Sequence, residues 1–155
     1  MYKRQLRVQQ GEKIVVIGAG TMGVLNALVA KAEGCEVMIT EMMDKKIEVA
    51  KELGLNVVDV KEKDPVEAVK EWTDGRGVDA VILAVGVTAA NDQALEMIKR
   101  LHGRILMFAA GYKLFTDDLN DLDVCLLIVS AYIVYFSDSS VMDDQVDCFT
   151  VIFYI

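Results

Sequence analysis

The sequence is short of several residue types at once. Its 155 residues include one proline, one tryptophan and one histidine, and the three cysteines, Cys35, Cys125 and Cys148, stand far apart. Dispersed thiols exclude a disulfide framework and leave no pair at zinc-ligand spacing, so buried thiols are expected. The lone His102 has no neighbour in sequence with which to build a proton relay or a metal centre. No apolar run reaches the ~20 residues of a membrane-crossing helix. The longest, Val124 to Phe136, holds 13 residues with one serine, and its β-branched and aromatic content reads as buried strand. Residues 1–10 carry basic side chains without the apolar stretch of a secretory signal, so a cytoplasmic location and no membrane partner are expected. Positive charge is scarce as well: 16 Lys and Arg stand against 24 Asp and Glu, a net charge of -8. Such a surface repels a phosphate backbone, which excludes generic nucleic-acid binding. Hydrophobic residues at 54% against 26% charged exclude disorder, and the length fits one domain.

The scarcity is uneven. No glycine follows Gly111 and only one basic residue, Lys113, lies beyond it, while residues 112–155 hold eight Asp, no Glu and eight of the eleven aromatics. That tail carries nearly all the net charge, and three segments are expected: a linker remnant at 1–10, a dinucleotide-binding domain at 11–111 and a divergent acidic and apolar tail at 112–155. The tail reads either as a sixth strand or as a hairpin of Val124 to Phe136 and Gln145 to Tyr154 around an Asp/Ser turn. A shifted reading frame would also yield its composition.

What is present before Gly111 is an alternation. Lys13 to Ile17, Glu36 to Thr40, Asn56 to Val60, Asp79 to Val85 and Arg104 to Ala109 read as short buried strands. Between them lie helical stretches. Met22 to Ala32 places Leu25, Leu28, Val29 and Ala32 on one face. Asp44 caps a helix with Ile47, Ala50 and Leu53 inward. Asp64-Pro65-Val66-Glu67 opens one over Val66, Val69 and Trp72, and a fourth starts at Thr88 or Asn91 and runs to Leu101, with Gly103 and His102 at its end. Strands alternating with helices predict right-handed crossovers and a doubly wound, parallel α/β sheet of the Rossmann type, in order 3-2-1-4-5.

At the end of the first strand stands Gly18-Ala19-Gly20-Thr21-Met22-Gly23, a G-x-G-x-x-G opening a helix. A dinucleotide site needs Gly18 for the tight turn, Gly20 for backbone approach to the pyrophosphate and Gly23 for close helix–strand packing. The pyrophosphate then rests on the free N–H groups of Thr21, Met22 and Gly23 at the positive end of the helix dipole. Glu41, at the end of the second strand, supplies the carboxylate that accepts ribose hydroxyls and repels a 2′-phosphate, favouring NAD over NADP. Lys45 and Lys46 temper that preference, because a nearby cation tolerates a 2′-phosphate.

Gly11-Glu12-Lys13, Val15 to Gly20, Ala50 to Gly54, Thr73-Asp74-Gly75-Arg76-Gly77-Val78-Asp79 and Gly103-Arg104-Ile105 together resemble the cofactor domain of zinc-dependent medium-chain alcohol dehydrogenases. The polyol, sugar-alcohol-phosphate and threonine dehydrogenase branch is the nearest in pattern. The resemblance implies a ribose contact from Lys46 and a nicotinamide side lined by Val85, Gly86, Val87, Phe108, Ala109 and Ala110. It implies zinc in a full-length relative only, on a separate catalytic domain; no catalytic or metal-ligating residue is assigned to this chain. Two functions are compatible with these readings: the NAD-binding part of an oxidoreductase acting on a secondary alcohol, or a stand-alone NAD-binding sensing or pairing module. The apolar tail, with a long potential edge, predicts homo-oligomers. Light scattering at high concentration should show a dimer or larger species; a strictly monomeric chain would contradict this.

Overall fold

The computed structural model describes residues 6–108 and the strands Asp123–Ile128 and Phe149–Val151. The elements run β1 (Lys13–Ile17), α1 (Thr21–Ala32), β2 (Glu36–Glu41), α2 (Asp44–Glu52), β3 (Asn56–Asp59), α3 (Pro65–Trp72), β4 (Ala80–Leu83), α4 (Thr88–Met97), β5 (Leu101–Met107), β6 (Asp123–Ile128) and β7 (Phe149–Val151). The sheet order is β3-β2-β1-β4-β5-β6-β7. Every recorded pairing in it is parallel, from Lys13 against Glu36 to Leu126 against Phe149. The order expected for the first five strands is the one observed.

Each face of the sheet has its own core. One packs Val66, Val69, Ala90, Ala94 and Met97 of α3 and α4 on Val15, Val81, Leu83 and Ile105. The other packs Ala27, Ala30 and Ala50 of α1 and α2 on Ile14, Val16, Ile39, Ile82 and Leu106. Because side chains alternate across a strand, consecutive residues of β1 and β4 serve opposite cores, and that is why these strands read as unbroken apolar runs.

Several sequence expectations are corrected. The buried face of α1 is Gly23, Asn26, Ala27 and Ala30, whereas Leu25 and Val29 are 50% and 43% exposed. The cause is distance: α1 lies so close to β1 that only small side chains fit beneath it. In α2 the N-cap is Met43, without a side-chain cap; Asp44 is the first helical residue and its carboxylate accepts from Lys61 instead. Leu53, expected inward, is 45% exposed. The Asp64 cap holds, its Oδ1 accepting the Glu67 N–H at 2.9 Å with Pro65 behind it.

The fourth helix stops at Met97 rather than Leu101. Val78 and Ile98 form a parallel bridge in which the Val78 N–H donates to Met97 O and the Lys99 N–H to Val78 O. This pairing ends α4 where propensity alone would continue it. Strand β5 consequently starts at Leu101, and His102 stands in it with φ +59°, not at a helix end. Gly103 is a point of close approach, since a Cβ there would lie 2.6 Å from Lys99 O. β3 and β4 are shorter than expected, ending at Asp59 and Leu83. In the tail, a sixth strand is present at Asp123–Ile128, but its neighbour Phe149–Val151 runs parallel to it. A hairpin would make that pair antiparallel. No helix among the described residues is long and apolar enough to cross a membrane.

The strand N-termini are tied by an ionic network. Asp79 accepts the Lys13 N–H at 2.8 Å and Lys99 Nζ at 2.5 Å. Arg104 donates to Leu6 O, Arg7 O and Glu12 Oε1, and Lys13 Nζ donates to Trp72 O while lying 5.0 Å from the Trp72 ring centre. Burial pushes the Asp79 carboxyl up, but the Lys99 and Lys13 bonds outweigh it and hold it below the usual carboxylate range. The stability it contributes is therefore present at neutral pH and lost as pH falls through that depressed value. Asp79→Ala should cost about 2 kcal/mol at neutral pH, the scale of hydrogen bonds to a charged group, and should lessen the stability lost on acidification. Urea unfolding at neutral and acid pH checks both; equal stability of variant and parent at neutral pH would contradict them.

Candidate cofactor site

The opposite edge of the sheet, beyond the strand C-termini, gathers most of the residues singled out above. β1 ends at Ile17, and Gly18 turns the chain with φ +101°, a left-handed conformation that L side chains rarely adopt. The Gly18 N–H donates to Thr40 O at 2.8 Å, which stitches the turn to β2. A Cβ on Gly18 would meet Val85 Cγ1 at 2.3 Å, so the segment after β4 lies directly on the turn. A Cβ on Gly23 would lie 1.9 Å from Gly18 O, which is why α1 can pass so close beneath the loop.

Gly20 is different. It is the N-cap of α1, with φ −70° and ψ 176°, and a Cβ there would meet nothing within 4 Å. The helix it opens has no side-chain cap and no acidic residue in its first turn, so the first N–H groups of α1 lack the usual anionic or hydroxyl partner.

Glu41 ends β2 and is 7% exposed. Its Oε2 accepts the Ala19 N–H at 2.9 Å, and its Oε1 accepts the N–H groups of Met42 at 2.8 Å and Met43 at 3.1 Å. Lys46 Nζ, on the first turns of α2, lies 3.8 Å from Oε2. Burial favours the neutral acid, but the three backbone donors and Lys46 prevail and hold the Glu41 carboxyl below its ordinary range. It is charged at neutral pH.

Gly18, Gly20, Gly23, Glu41, Lys46 and Val85 are thus brought to one edge of the sheet. Thr21 and Met22 form the exposed first turn of α1; Gly86 and Val87 follow Val85, and Val87 is 55% exposed. Phe108 follows β5, its N–H donating to Leu83 O at 2.9 Å. Ala109 and Ala110 lie outside the described residues. What sequence reasoning missed is the load on Glu41: three main-chain donors converge on it, and only the short Glu41-Met42-Met43 turn hints at two of them.

Metal chemistry has no such gathering. Cys35 is buried ahead of β2 and donates to Gln9 O, and His102 is the second residue of β5, both at the strand N-terminal edge. Among the described residues no group of three His, Cys, Asp or Glu is placed to hold an ion. Cys35 and His102 do not fit a zinc site.

A doubly wound sheet with a glycine turn at the end of β1 and an acid at the end of β2 defines a Rossmann-type domain. A family model described as zinc-binding dehydrogenase matches residues 20–146, and the chain belongs to that family. It is 40% identical over 106 residues to 2-dehydro-3-deoxy-L-galactonate 5-dehydrogenase of Pseudoalteromonas atlantica, covering 68% of this chain and 31% of that protein. It is 33% identical over 127 residues to L-threonine 3-dehydrogenase of Pyrococcus horikoshii, covering 81% and 35%. Among solved structures, benzyl alcohol dehydrogenase from Acinetobacter calcoaceticus superposes with a TM-score of 0.75 at 29% identity, over 83% of this chain and 37% of that one. The chain spans about a third of the length of the curated relatives it matches.

The Gly18–Gly23 contact generates a prediction. Gly23→Ala forces a methyl group into Gly18 O and should destabilise the fold by about 3 kcal/mol, the upper range for overpacking. Thermal unfolding measures it, and an unchanged midpoint would mean that α1 does not pack as described.

Proposed function

We propose that this domain binds NAD, and that in the whole protein NAD accepts hydride from a secondary alcohol of a polyol or related substrate. The observation that carries the reading is Gly20. Its φ is one that any L residue adopts, and a Cβ would find open space. Nothing among the described residues therefore requires glycine there, whereas a pyrophosphate seated on the α1 N-terminus would.

In this reading the first N–H groups of α1, at Thr21, Met22 and Gly23, hold the pyrophosphate, with Gly18 keeping the turn out of the way. Glu41 and Lys46 face the adenosine ribose. Val85, Gly86, Val87, Phe108, Ala109 and Ala110 line the nicotinamide side. The bound cofactor would supply the hydride-accepting carbon; the residues named here bind and orient it. The charge on Glu41 supports NAD over NADP, since a 2′-phosphate would meet a carboxylate held ionised by its surroundings. Lys46 offsets part of that repulsion. The names of the relatives, dehydrogenases of a sugar acid and of threonine, support an alcohol carbon as the hydride donor.

Gly20→Val separates fold from function. Its fold should survive, with a stability loss under about 1 kcal/mol from the poorer N-cap, while NAD affinity by calorimetry should fall at least tenfold. Unchanged affinity would place the pyrophosphate elsewhere.

A further inference from the structure

Glu41 holds more than a ribose acceptor needs to hold. A carboxylate offers about four acceptor positions, and main-chain N–H groups of Ala19, Met42 and Met43 occupy three of them. We infer that Glu41 is a positioning residue for the pyrophosphate loop, acting through Ala19, in addition to meeting the ribose. The inference rests on the cofactor reading above and deepens it.

The geometry is specific. Ala19 lies between Gly18 and Gly20, so its N–H fixes the peptide plane between the turn and the helix start. Two consecutive N–H groups of the loop are anchored on β2: that of Gly18 on Thr40 O at 2.8 Å and that of Ala19 on Glu41 Oε2 at 2.9 Å. With both turned inward, the next backbone groups, from Gly20 into the first turn of α1, are left for a ligand. The other oxygen, Oε1, gathers Met42 and Met43, and Met43 is the N-cap of α2, the helix that carries Lys46. One carboxylate therefore fixes the pyrophosphate loop and the start of the ribose-side helix relative to each other. The Lys46 ammonium lies 3.8 Å from Oε2, and in the cofactor reading it and the remaining acceptor position would meet the ribose together.

The test uses two ligands on the full chain: NAD, and an NAD analogue lacking the adenosine 2′ and 3′ hydroxyls. If Glu41 positions the loop, Glu41→Ala weakens the analogue about tenfold or more by calorimetry, although the analogue has no hydroxyl for Glu41 to accept. Glu41→Gln, which keeps one acceptor oxygen, should fall between parent and Glu41→Ala, and it supplies the reading should Glu41→Ala not fold. If the analogue binds parent and variants equally while NAD is weakened, Glu41 is a ribose acceptor alone and the inference is overturned. A second readout needs no nucleotide: hydrogen exchange at the Ala19 amide should be slow in the parent and at least tenfold faster in the variants. Should the parent bind neither ligand, the cofactor reading fails. Amide exchange then decides the positioning role alone, unchanged protection at Ala19 overturning it.

Discussion

The contact between Gly23 and the carbonyl of Gly18 is the constraint on which the rest of the site depends. Because a Cβ at Gly23 would fall 1.9 Å from that oxygen, the helix and the turn can approach only with a hydrogen there. That approach sets three features at once. It draws α1 onto β1 and β4, so the buried face of the helix is made of small side chains, Gly23, Asn26, Ala27 and Ala30. It aims the N-terminus of α1 over the edge of the sheet rather than past it. It also leaves Gly20 where a Cβ would meet nothing among the described residues within 4 Å. The helix dipole and the free N–H groups of the α1 N-terminus then both act at that edge.

The two edges of the sheet divide the work. The strand N-termini carry Glu12, Lys13, Asp79, Lys99 and Arg104 in one ionic network, and the C-terminal edge carries the glycine turn, Glu41 and Lys46. Of the residues that make this sequence recognisable, Gly11-Glu12-Lys13, Thr73 to Asp79 and Gly103-Arg104 belong to the first edge, whereas Val15 to Gly20 runs through β1 to the second. The chemistry of the first edge is that of holding strands in register: Asp79 ties β1 to the loop before β5, Arg104 ties β5 to the segment entering β1, and Thr73 Oγ1 accepts the Gly77 N–H at 3.1 Å within the turn before β4. The larger part of the pattern that identifies the family thus reports a scaffold, and only its glycine turn reaches the site. At the other edge Gly20 is present without any steric need among the described residues.

This division also explains what could be read in the sequence. Strand positions and their order were legible because strands buried on both faces are continuous apolar runs, and helices between them force parallel crossovers. The glycine turn and Glu41 were legible because their spacing follows from one βαβ unit. Helix faces were not. In α1 the large apolar residues Leu25 and Val29 point outward, and hydrophobic periodicity assigned the wrong face because the size of the gap beneath the helix, set by Gly18 and Gly23, is a tertiary quantity. The start of β5 was missed for a related reason. Lys99 to His102 has no strand signature, and its conformation follows from the Val78–Ile98 bridge, a pairing between segments twenty residues apart.

The saturation of Glu41 bears on how the site is prepared. A carboxylate free to meet a ligand would be solvated in its absence, and binding would carry the cost of removing that water. Here the charge is already desolvated and satisfied by backbone donors, as its 7% exposure and lowered pKa reflect. In the proposed cofactor reading most of the desolvation cost would be met on folding, and the loop that Glu41 anchors would need no reordering to receive a pyrophosphate. Preorganisation of this kind strengthens binding by removing entropy losses rather than by adding contacts. It also makes the acid end of the pH range a conformational boundary: protonating Glu41 would weaken the anchors of Ala19 and of α2 together, because both depend on the same negative charge.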